Sequence, residues 1–529
     1  MNAETAWTSP SGRAPYVPPG DPLADLSPER RRLDRDAVRR DPVDVLVVGG
    51  GITGAGVALD AATRGLSVAL VEAHDLAFGT SRWSSKLVHG GLRYLAKGDV
   101  GVAWESAEER AHLIGTIAPH LIRALPQVVP VFADTPRSQA LLTRVGFLAG
   151  DALKVGARTV HGALPHARRI GADEAIALSP TVDTGRLTGA ALNYDGQLED
   201  DARLVVAVAR TAAAFGARVL TRTRALSVGD GGALVEDSAE PGAPYQIRSR
   251  VVVNATGVWA GGLDPAVRIR PSRGTHVVLR PEVLGNPTAS LTVPVPGEFG
   301  RYVFTLPQPD GPVLVGLTDV PQEGPLPDVP EPSAEEVGWI LDVLSTALAR
   351  PLTPDHVVGA FAGLRPLVEP EHGQEHEGTA DISRRHLVRR ESPGLVTVTG
   401  GKLTTYRRMA QDVVDLITDV PCRTTGQPLV GAGPVADADR LPARLVRRYG
   451  SEAALVSSYA DADPALLAPL APGVPVLGVE LVHGLLREGA LDVADLLERR
   501  TRVSLVPADL AAATPRAEEI AAAVTGRHP

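Results

Sequence analysis

From Asp44 to Glu72 the chain reads DVLVVGGGITGAGVALDAATRGLSVALVE, and its apolar pattern changes character along the way. Val45 to Val48 is a continuous apolar run, short enough to be a strand buried on both faces of a parallel sheet. An alanine-rich helical segment stops at Arg64-Gly65, and a second apolar strand, Ser67 to Val71, finishes at Glu72. The same texture returns twice. SRVVVNATG, ending at Gly257, predicts a buried strand running into a small-residue turn. Leu395 to Val398 predicts another strand, followed by Gly400-Gly401-Lys402 and a helix from Thr405 to Ile417. Pro271 to Arg280 and Arg301 to Asp319 alternate instead, as strands of an antiparallel sheet do. Helical spacing predicts further helices over 28–40, 99–125, 200–215 and 333–349, the third amphipathic with Asp200 and Asp201 at its start. The fold class is therefore α/β, with a parallel nucleotide-type sheet, an antiparallel sheet and a helical tail. Residues 1–42 form an N-terminal extension whose first 28 are expected to be disordered. Residues 43–420 form the main body and 421–529 a separate helical domain.

The glycines between the first strand and helix fall at Gly49, Gly51 and Gly54, in G-x-G-x-x-G spacing. The first permits a tight turn, the second lets backbone N–H groups approach a pyrophosphate, and the third lets helix pack against strand. The pyrophosphate then meets a helix N-terminus, where orphan N–H groups and the dipole favour negative charge. Such spacing is weak evidence alone in a chain with 54 glycines. Here it lies between a strand and a helix, and an acidic residue ends the next strand about 20 residues on. Glu72 is placed to bind ribose hydroxyls, which disfavours a 2′-phosphate. A dinucleotide site follows.

Bulk properties narrow the rest. At 529 residues the chain needs two or three domains. No apolar run approaches the ~20 residues of a membrane span, and the N-terminus lacks a signal-peptide core, so a cytoplasmic location is expected. One cysteine, Cys422, excludes intramolecular disulfides and a cysteine-built metal or iron–sulfur centre. The histidines lack further ligands at metal-binding spacing, so no metal is expected. A net charge of −9 argues against broad nucleic-acid binding.

The segments SSKLVHGGLRYL, DDARLV, NATGVW, RGTHVVL, LTDV, AGLRPL and GGKLTTYRRMA run in order after the glycine motif, and LREGALDVADLLERRTRVSL lies in the tail. Together they resemble the FAD-dependent, quinone-linked glycerol-3-phosphate dehydrogenases. The resemblance implies a Rossmann-like FAD domain interleaved with an antiparallel substrate domain, then a helical C-terminal domain, and a homodimer. It implies non-covalent FAD held by Gly49, Gly51, Gly54 and Glu72 at the ADP half. Thr80, Ser81, Ser85 and Lys86 would line the pyrophosphate and flavin side, with Ala255, Thr256, Gly257, Asp319, Gly401, Lys402, Leu403 and Thr404 closing around the remainder. Where the family often has Thr-Ser-Ser, this chain has Thr80-Ser81-Arg82-Trp83, which puts Arg82 and Trp83 in doubt as contacts.

Oxidation of a phosphorylated secondary alcohol needs a proton acceptor, a hydride acceptor and a grip on phosphate. Arginine's planar fork suits phosphate oxygens. Arg93, Arg365, Arg384 and Lys402 are the candidates, with Tyr94 completing the pocket; the alternative for each arginine is a surface ion pair. Lys402 is also available as a positive charge beside a reduced flavin. His276 is the preferred general base, since imidazole titrates near neutral pH and an alternating strand can point it into a pocket. Its alternative is a histidine hydrogen-bonded within the sheet. His89, beside Gly90-Gly91, fits loop structure better.

The expected reaction is oxidation of sn-glycerol 3-phosphate to dihydroxyacetone phosphate, with electrons passing to a membrane quinone. An oxidase releasing peroxide and a non-catalytic flavin-binding subunit are the alternatives. Peripheral membrane contact is expected through basic surface at Arg30 to Arg40 or Glu498 to Arg502.

Overall fold

Strand β1 (Val43–Val48) forms where the apolar run predicts it, and only Asp44 escapes burial. Helix α2 (Ile52–Thr63) starts directly after Gly51, and strand β2 (Val68–Val71) runs parallel to β1, pairing Val45 with Val68 and Val48 with Val71. On the other side of β1 lies the strand Tyr245–Asn254, also parallel, and beyond it Leu395–Gly400. The chain thus leaves β1 in one direction and returns on its opposite flank. This reversal opens a crevice at the carboxyl ends of the strands, the place where open α/β sheets bind ligands. Residues 16–91, 99–157, 159, 163–298, 300–309, 311–369 and 385–526 of this computed structural model are described, apart from the side chains of 137–145.

A ten-stranded sheet faces the crevice. Its centre is the strand Ile269–Leu279, paired antiparallel with Val313–Gly316 on one side and with Val357–Val368 on the other. The expected antiparallel sheet is present with one exception, a parallel pairing of Ser290–Pro294 with Ile122–Phe132. Val277, Leu279, Val303 and Val315 turn to a core shared with the helix Ala334–Ser345, leaving the alternate positions for the crevice. The helix expected over 99–125 stops early: α3 (Val100–His112) gives way to a π-turn, and Ile122 begins a strand. Helix α4 (Arg137–Gly156) follows. The helix Asp201–Ala214 is buried at every position, so its amphipathic pattern does not mark a solvent face. Asp200, Arg203 and Arg210 meet the C-terminal domain, and Asp201 accepts from Ser84 and Lys86.

The N-terminal extension also differs from expectation. Val17, Ala24 and Leu26 are buried, because Val17 and Ala24 pack with Ala214 and Val430. Helix α1 (Pro28–Arg40) is present, capped by Ser27, but its basic side is occupied. Arg31 donates to Thr221 O and Asp237, and Arg35 and Arg39 pair with Glu240. Glu498 to Arg502 is likewise no membrane surface, since Arg499, Arg500 and Arg502 are buried. No helix among the described residues is long and apolar enough to cross a membrane.

The C-terminal domain has its own core around Leu481, Leu496 and Ile520 and meets the main body through buried ion pairs. Arg210 donates to Glu452 at 2.6 Å, Arg203 donates to Glu488, and Arg448 donates to Asp200 at 3.0 Å. His483 lies between Glu452 and Glu488. Burial alone would raise both glutamates, but Arg210, Arg203 and His483 outweigh it and hold each at about 2. Burial pushes His483 down to about 4, against the pull of the glutamates, and His120 down to about 3. All four groups have depressed folded-state values. Their contribution is complete above the unfolded values and is lost as pH falls, first from the histidines below about 6.5 and then from the glutamates below about 4.5. The melting temperature is therefore expected to drop between pH 7.5 and pH 5, and a flat profile would contradict buried neutral histidines.

Candidate active site

The crevice is a cavity of about 1330 Å³ whose floor is the glycine turn. Gly49 has φ +113°, and a Cβ there would lie 2.6 Å from the Ala255 carbonyl oxygen at the end of the neighbouring strand. A Cβ on Gly54 would lie 1.9 Å from Gly49 O, so helix and strand touch backbone to backbone. Gly51 provides no side-chain cap for α2; Ser81 Oγ accepts from Ile52 N at 2.9 Å instead. The turn brings bare backbone, a helix N-terminus and the Ser81 hydroxyl to one end of the cavity. Glu72 closes the other side of the turn, accepting from Gly50 N at 2.6 Å and His74 N at 2.8 Å. Burial raises its pKa, and those two N–H groups oppose the rise. Each carboxylate oxygen keeps a further lone pair for a ribose hydroxyl. Arg224 lines the same end and went unnoticed in the sequence, having no motif around it.

Residues 72–85 form the adjoining wall, and His74, Phe78, Thr80, Ser81, Trp83 and Ser85 all line the cavity. The Thr80 hydroxyl donates to Leu364 O at 2.6 Å, tying this wall to the ten-stranded sheet. Trp83 lines the cavity as well, packed so closely on Gly363 that a Cβ there would lie 2.6 Å from its own Cβ. Arg82 does not: it is buried against Glu498 at 2.7 Å. Lys86 is a second correction. It is not among the cavity residues; its ammonium is buried against Asp201 at 3.1 Å, because the backbone turns there with φ +55°.

The C-terminal domain clamps this wall from behind. Asp75, three residues past Glu72, is fully buried and accepts from Arg499 at 2.7 Å and from Arg500 at 2.8 and 2.9 Å. Arg502 donates to Arg82 O and lies over the Trp83 ring. Removing one partner of such a buried pair costs about 3–5 kcal/mol by leaving a charge uncompensated. Arg500→Met is expected to lower the melting temperature and speed the loss of a bound dinucleotide on dilution, read by its appearance in the filtrate. Cofactor retention equal to wild type would show that the wall holds without its clamp.

The third wall carries cations and the histidine. His276 lines the cavity, with its ring stacked on Phe361 at 4.8 Å and lying over Gly316, where a Cβ would sit 2.4 Å from the imidazole. Its Nε2 is 3.0 Å from Ser85 Oγ, while Nδ1 is buried with no hydrogen-bond partner. Burial first, then the charges of Lys86 and Arg365, hold its pKa well below the ordinary value, so the ring is neutral. Arg365 crosses Gly274, donates to Thr318 O at 3.0 Å, and lies 3.3 Å from both Ser272 Oγ and Asp319 Oδ1. Asp319, expected at the cofactor, is thus primarily the partner of Arg365; it shares the cavity wall. Lys402 comes from the nucleotide domain and donates to Ser106 Oγ at 2.6 Å. It lines the cavity with Gly401, Leu403 and Thr404, and Gly401 has φ +70°. Ala255, Thr256 and Gly257 line it beside the glycine turn, and His89 farther along. Arg93, Tyr94 and Arg384 lie outside the described residues.

A glycine turn pressed on its neighbouring strand, a helix N-terminus capped from outside by Ser81 and a half-buried acidic residue fit an adenine dinucleotide. Opposite them stand a neutral imidazole and two cations, which is the layout of a flavin-dependent oxidoreductase. The comparisons agree. Residues 44–407 match the family "FAD dependent oxidoreductase", and residues 422–528 match "C-terminal domain of alpha-glycerophosphate oxidase". Glycerol-3-phosphate dehydrogenase 1 of Mycobacterium tuberculosis is 50% identical over 498 residues, covering 92% of this chain and 96% of its own. A mitochondrial glycerol-3-phosphate dehydrogenase of Arabidopsis thaliana is 36% identical, covering 95% and 86%. The solved glycerol-3-phosphate dehydrogenase of Bacillus halodurans, complexed with FAD, shares the fold with a TM-score of 0.71 at 24% identity over 94% of each chain. The chain belongs to the FAD-dependent oxidoreductase family, in its glycerol-3-phosphate dehydrogenase branch, and its cofactor is FAD.

Proposed function

We propose that the chain oxidises the secondary hydroxyl of sn-glycerol 3-phosphate to the ketone of dihydroxyacetone phosphate and passes the electrons to a membrane quinone. FAD supplies the hydride acceptor. The observation that carries this reading is the meeting of Arg365, His276 and Ser85 on the wall opposite the glycine turn, with Lys402 reaching in from the other domain. The relatives at 36–50% identity bear the substrate in their names.

Each group has a chemical task. Arg365 brings a guanidinium suited to phosphate oxygens, and its planar fork is already oriented by Thr318 O and Asp319. Lys402 adds a second positive charge. Ser85, in contact with His276 Nε2, lies where it can hand over the alcohol proton. The tautomer that accepts at Nε2 carries its proton on Nδ1. A histidine with a depressed pKa is a weak acceptor, but the alcohol proton becomes strongly acidic as hydride leaves the carbon, so a weak acceptor suffices.

The test is anaerobic mixing of the FAD-loaded protein with sn-glycerol 3-phosphate while the visible flavin band is followed. Rapid bleaching reversed by a quinone analogue, and slowly by oxygen, is the expected result. Fast reversal by oxygen with peroxide release would make the protein an oxidase. No bleaching would mean another substrate.

A further inference from the structure

Helix α3 lies between the motif segments and carries none of them, yet one side of it is committed to the active site. Ser106, Glu109 and Arg110 stand at spacings of three and four, which places them on one side of a helix, and all three are buried. Each holds a different piece of the site. Arg110 donates to Asp195 at 2.7 Å, and Asp195, a cavity residue, also accepts from Gly90 N at 3.2 Å, next to His89. Glu109 accepts from Arg407 Nε at 2.8 Å. Ser106 Oγ accepts from Lys402 Nζ at 2.6 Å. The last two contacts grip one stretch of chain, since Lys402 and Arg407 stand on either side of the short turn Leu403–Thr405.

The hydrogen bonds at Ser106 have a fixed direction. An ammonium only donates, so the serine oxygen accepts from Lys402. The hydroxyl proton goes to Val102 O, one turn back along α3, at 2.6 Å. Ser106 is fully buried, so no bulk water competes for its lone pair. Lysine is a point charge on a flexible stem and lacks the rigid fork of arginine, so the place of its ammonium depends on what grips it. The Glu109–Arg407 pair holds the backbone of the turn, and Ser106 holds the end of the side chain. Arg365 differs, being oriented by Thr318 O and Asp319 beside its own sheet.

We infer that Ser106 is a positioning residue for the substrate: through Lys402 it sets where the second positive charge meets the phosphate. This rests on the dehydrogenase reading above. Ser106 is not among the cavity residues, so its removal acts by way of Lys402.

The experiment compares four FAD-loaded proteins: wild type, Ser106→Ala, Lys402→Met and the double variant. Steady-state oxidation of glycerol 3-phosphate with ferricyanide as acceptor gives KM and kcat. Binding of phosphoglycolate, a phosphate ester with no secondary alcohol to oxidise, is measured separately by calorimetry on the oxidised protein. Ser106→Ala is expected to raise KM and weaken phosphoglycolate about tenfold, the effect of one hydrogen bond to a charged group, with kcat near wild type. In the Lys402→Met background the same substitution is expected to change neither quantity. Ser106→Thr keeps the hydroxyl and its bond to the preceding turn, and is expected to restore both. Glu108→Ala, at an exposed position of the same helix, is the control. Wild-type KM and phosphoglycolate affinity in Ser106→Ala would overturn the proposal. An equal loss with and without Lys402 would overturn it too, because Ser106 would then serve the fold. Wild-type protein that is not bleached by glycerol 3-phosphate overturns the dehydrogenase reading, and the phosphoglycolate comparison still decides on Ser106.

Discussion

Gly49→Ala is expected to yield a folded protein without its flavin. Two effects act at that residue. Its φ of +113° lies where side-chain-bearing residues are strained by about 1–3 kcal/mol. The new Cβ also meets the Ala255 carbonyl oxygen at 2.6 Å and its carbon at 2.9 Å. Both atoms are backbone at the end of a central strand, so they cannot rotate aside, and overpacking of this kind costs about 1–3 kcal/mol more. Any relief must come from moving β1 and its neighbour apart, which widens the very turn that approaches the pyrophosphate. Several kcal/mol directed at the cofactor correspond to a loss of FAD affinity of about 100-fold or more. Gly101→Ala is the control, because a Cβ there meets nothing within 4 Å. The measurement is flavin content after purification and an FAD titration of the apoprotein. Wild-type flavin content in the Gly49 variant would remove the turn from the cofactor site.

The second large effect is expected at Arg365. Arg365→Met takes away the Thr318 and Asp319 contacts, while the Asp319 carboxylate still accepts from the Ser272 hydroxyl. The cavity wall loses a cation and keeps a carboxylate, which repels phosphate while the donors that would bind it are gone. Losing a hydrogen-bonded charge partner of the substrate costs about 2–5 kcal/mol of binding, or about 30–5,000-fold in kcat/KM for glycerol 3-phosphate. FAD content is expected to stay at the wild-type level, since the Arg365 contacts described above lie on the ten-stranded sheet and its loop, at Ser272, Thr318 and Asp319. Glycerol, which lacks the phosphate, separates the roles: its slow oxidation is expected to change far less than that of the phosphorylated substrate. An equal loss toward both would show that Arg365 serves the chemistry or the fold and does not grip phosphate. Arg365→Lys, keeping charge without the fork, is expected to fall between.

Much of this site was legible because its logic is local. The glycines from Gly49 to Gly54, the strand before them and Glu72 after them sit within one supersecondary unit, where spacing dictates geometry. The family resemblance added Arg365, His276 and Lys402 through short motifs, and all three reach one cavity. Other features were hidden because they join segments far apart in the chain. Ser81 caps α2 across the cavity, His276 meets Ser85, and Asp75 is gripped by Arg499 and Arg500 from the last domain. Lys86 shows the reverse failure. Its motif neighbours reach the cavity, but the positive φ at its own backbone turns its side chain to Asp201.

The sequence by itself determined the nucleotide-binding unit, the alternation of sheet and helix, and the chemical types available at the site. These depend on periodicity and on residues close in the chain, where the backbone leaves few options. Only the tertiary structure decided which charged residues serve the cavity and which hold domains together. Arg82, Lys86, Arg499 and Arg500 look alike in sequence as solvent-facing or functional cations, yet all four are buried in structural pairs. A charge acquires its role from the partner that offsets its desolvation, and that partner is chosen by the fold.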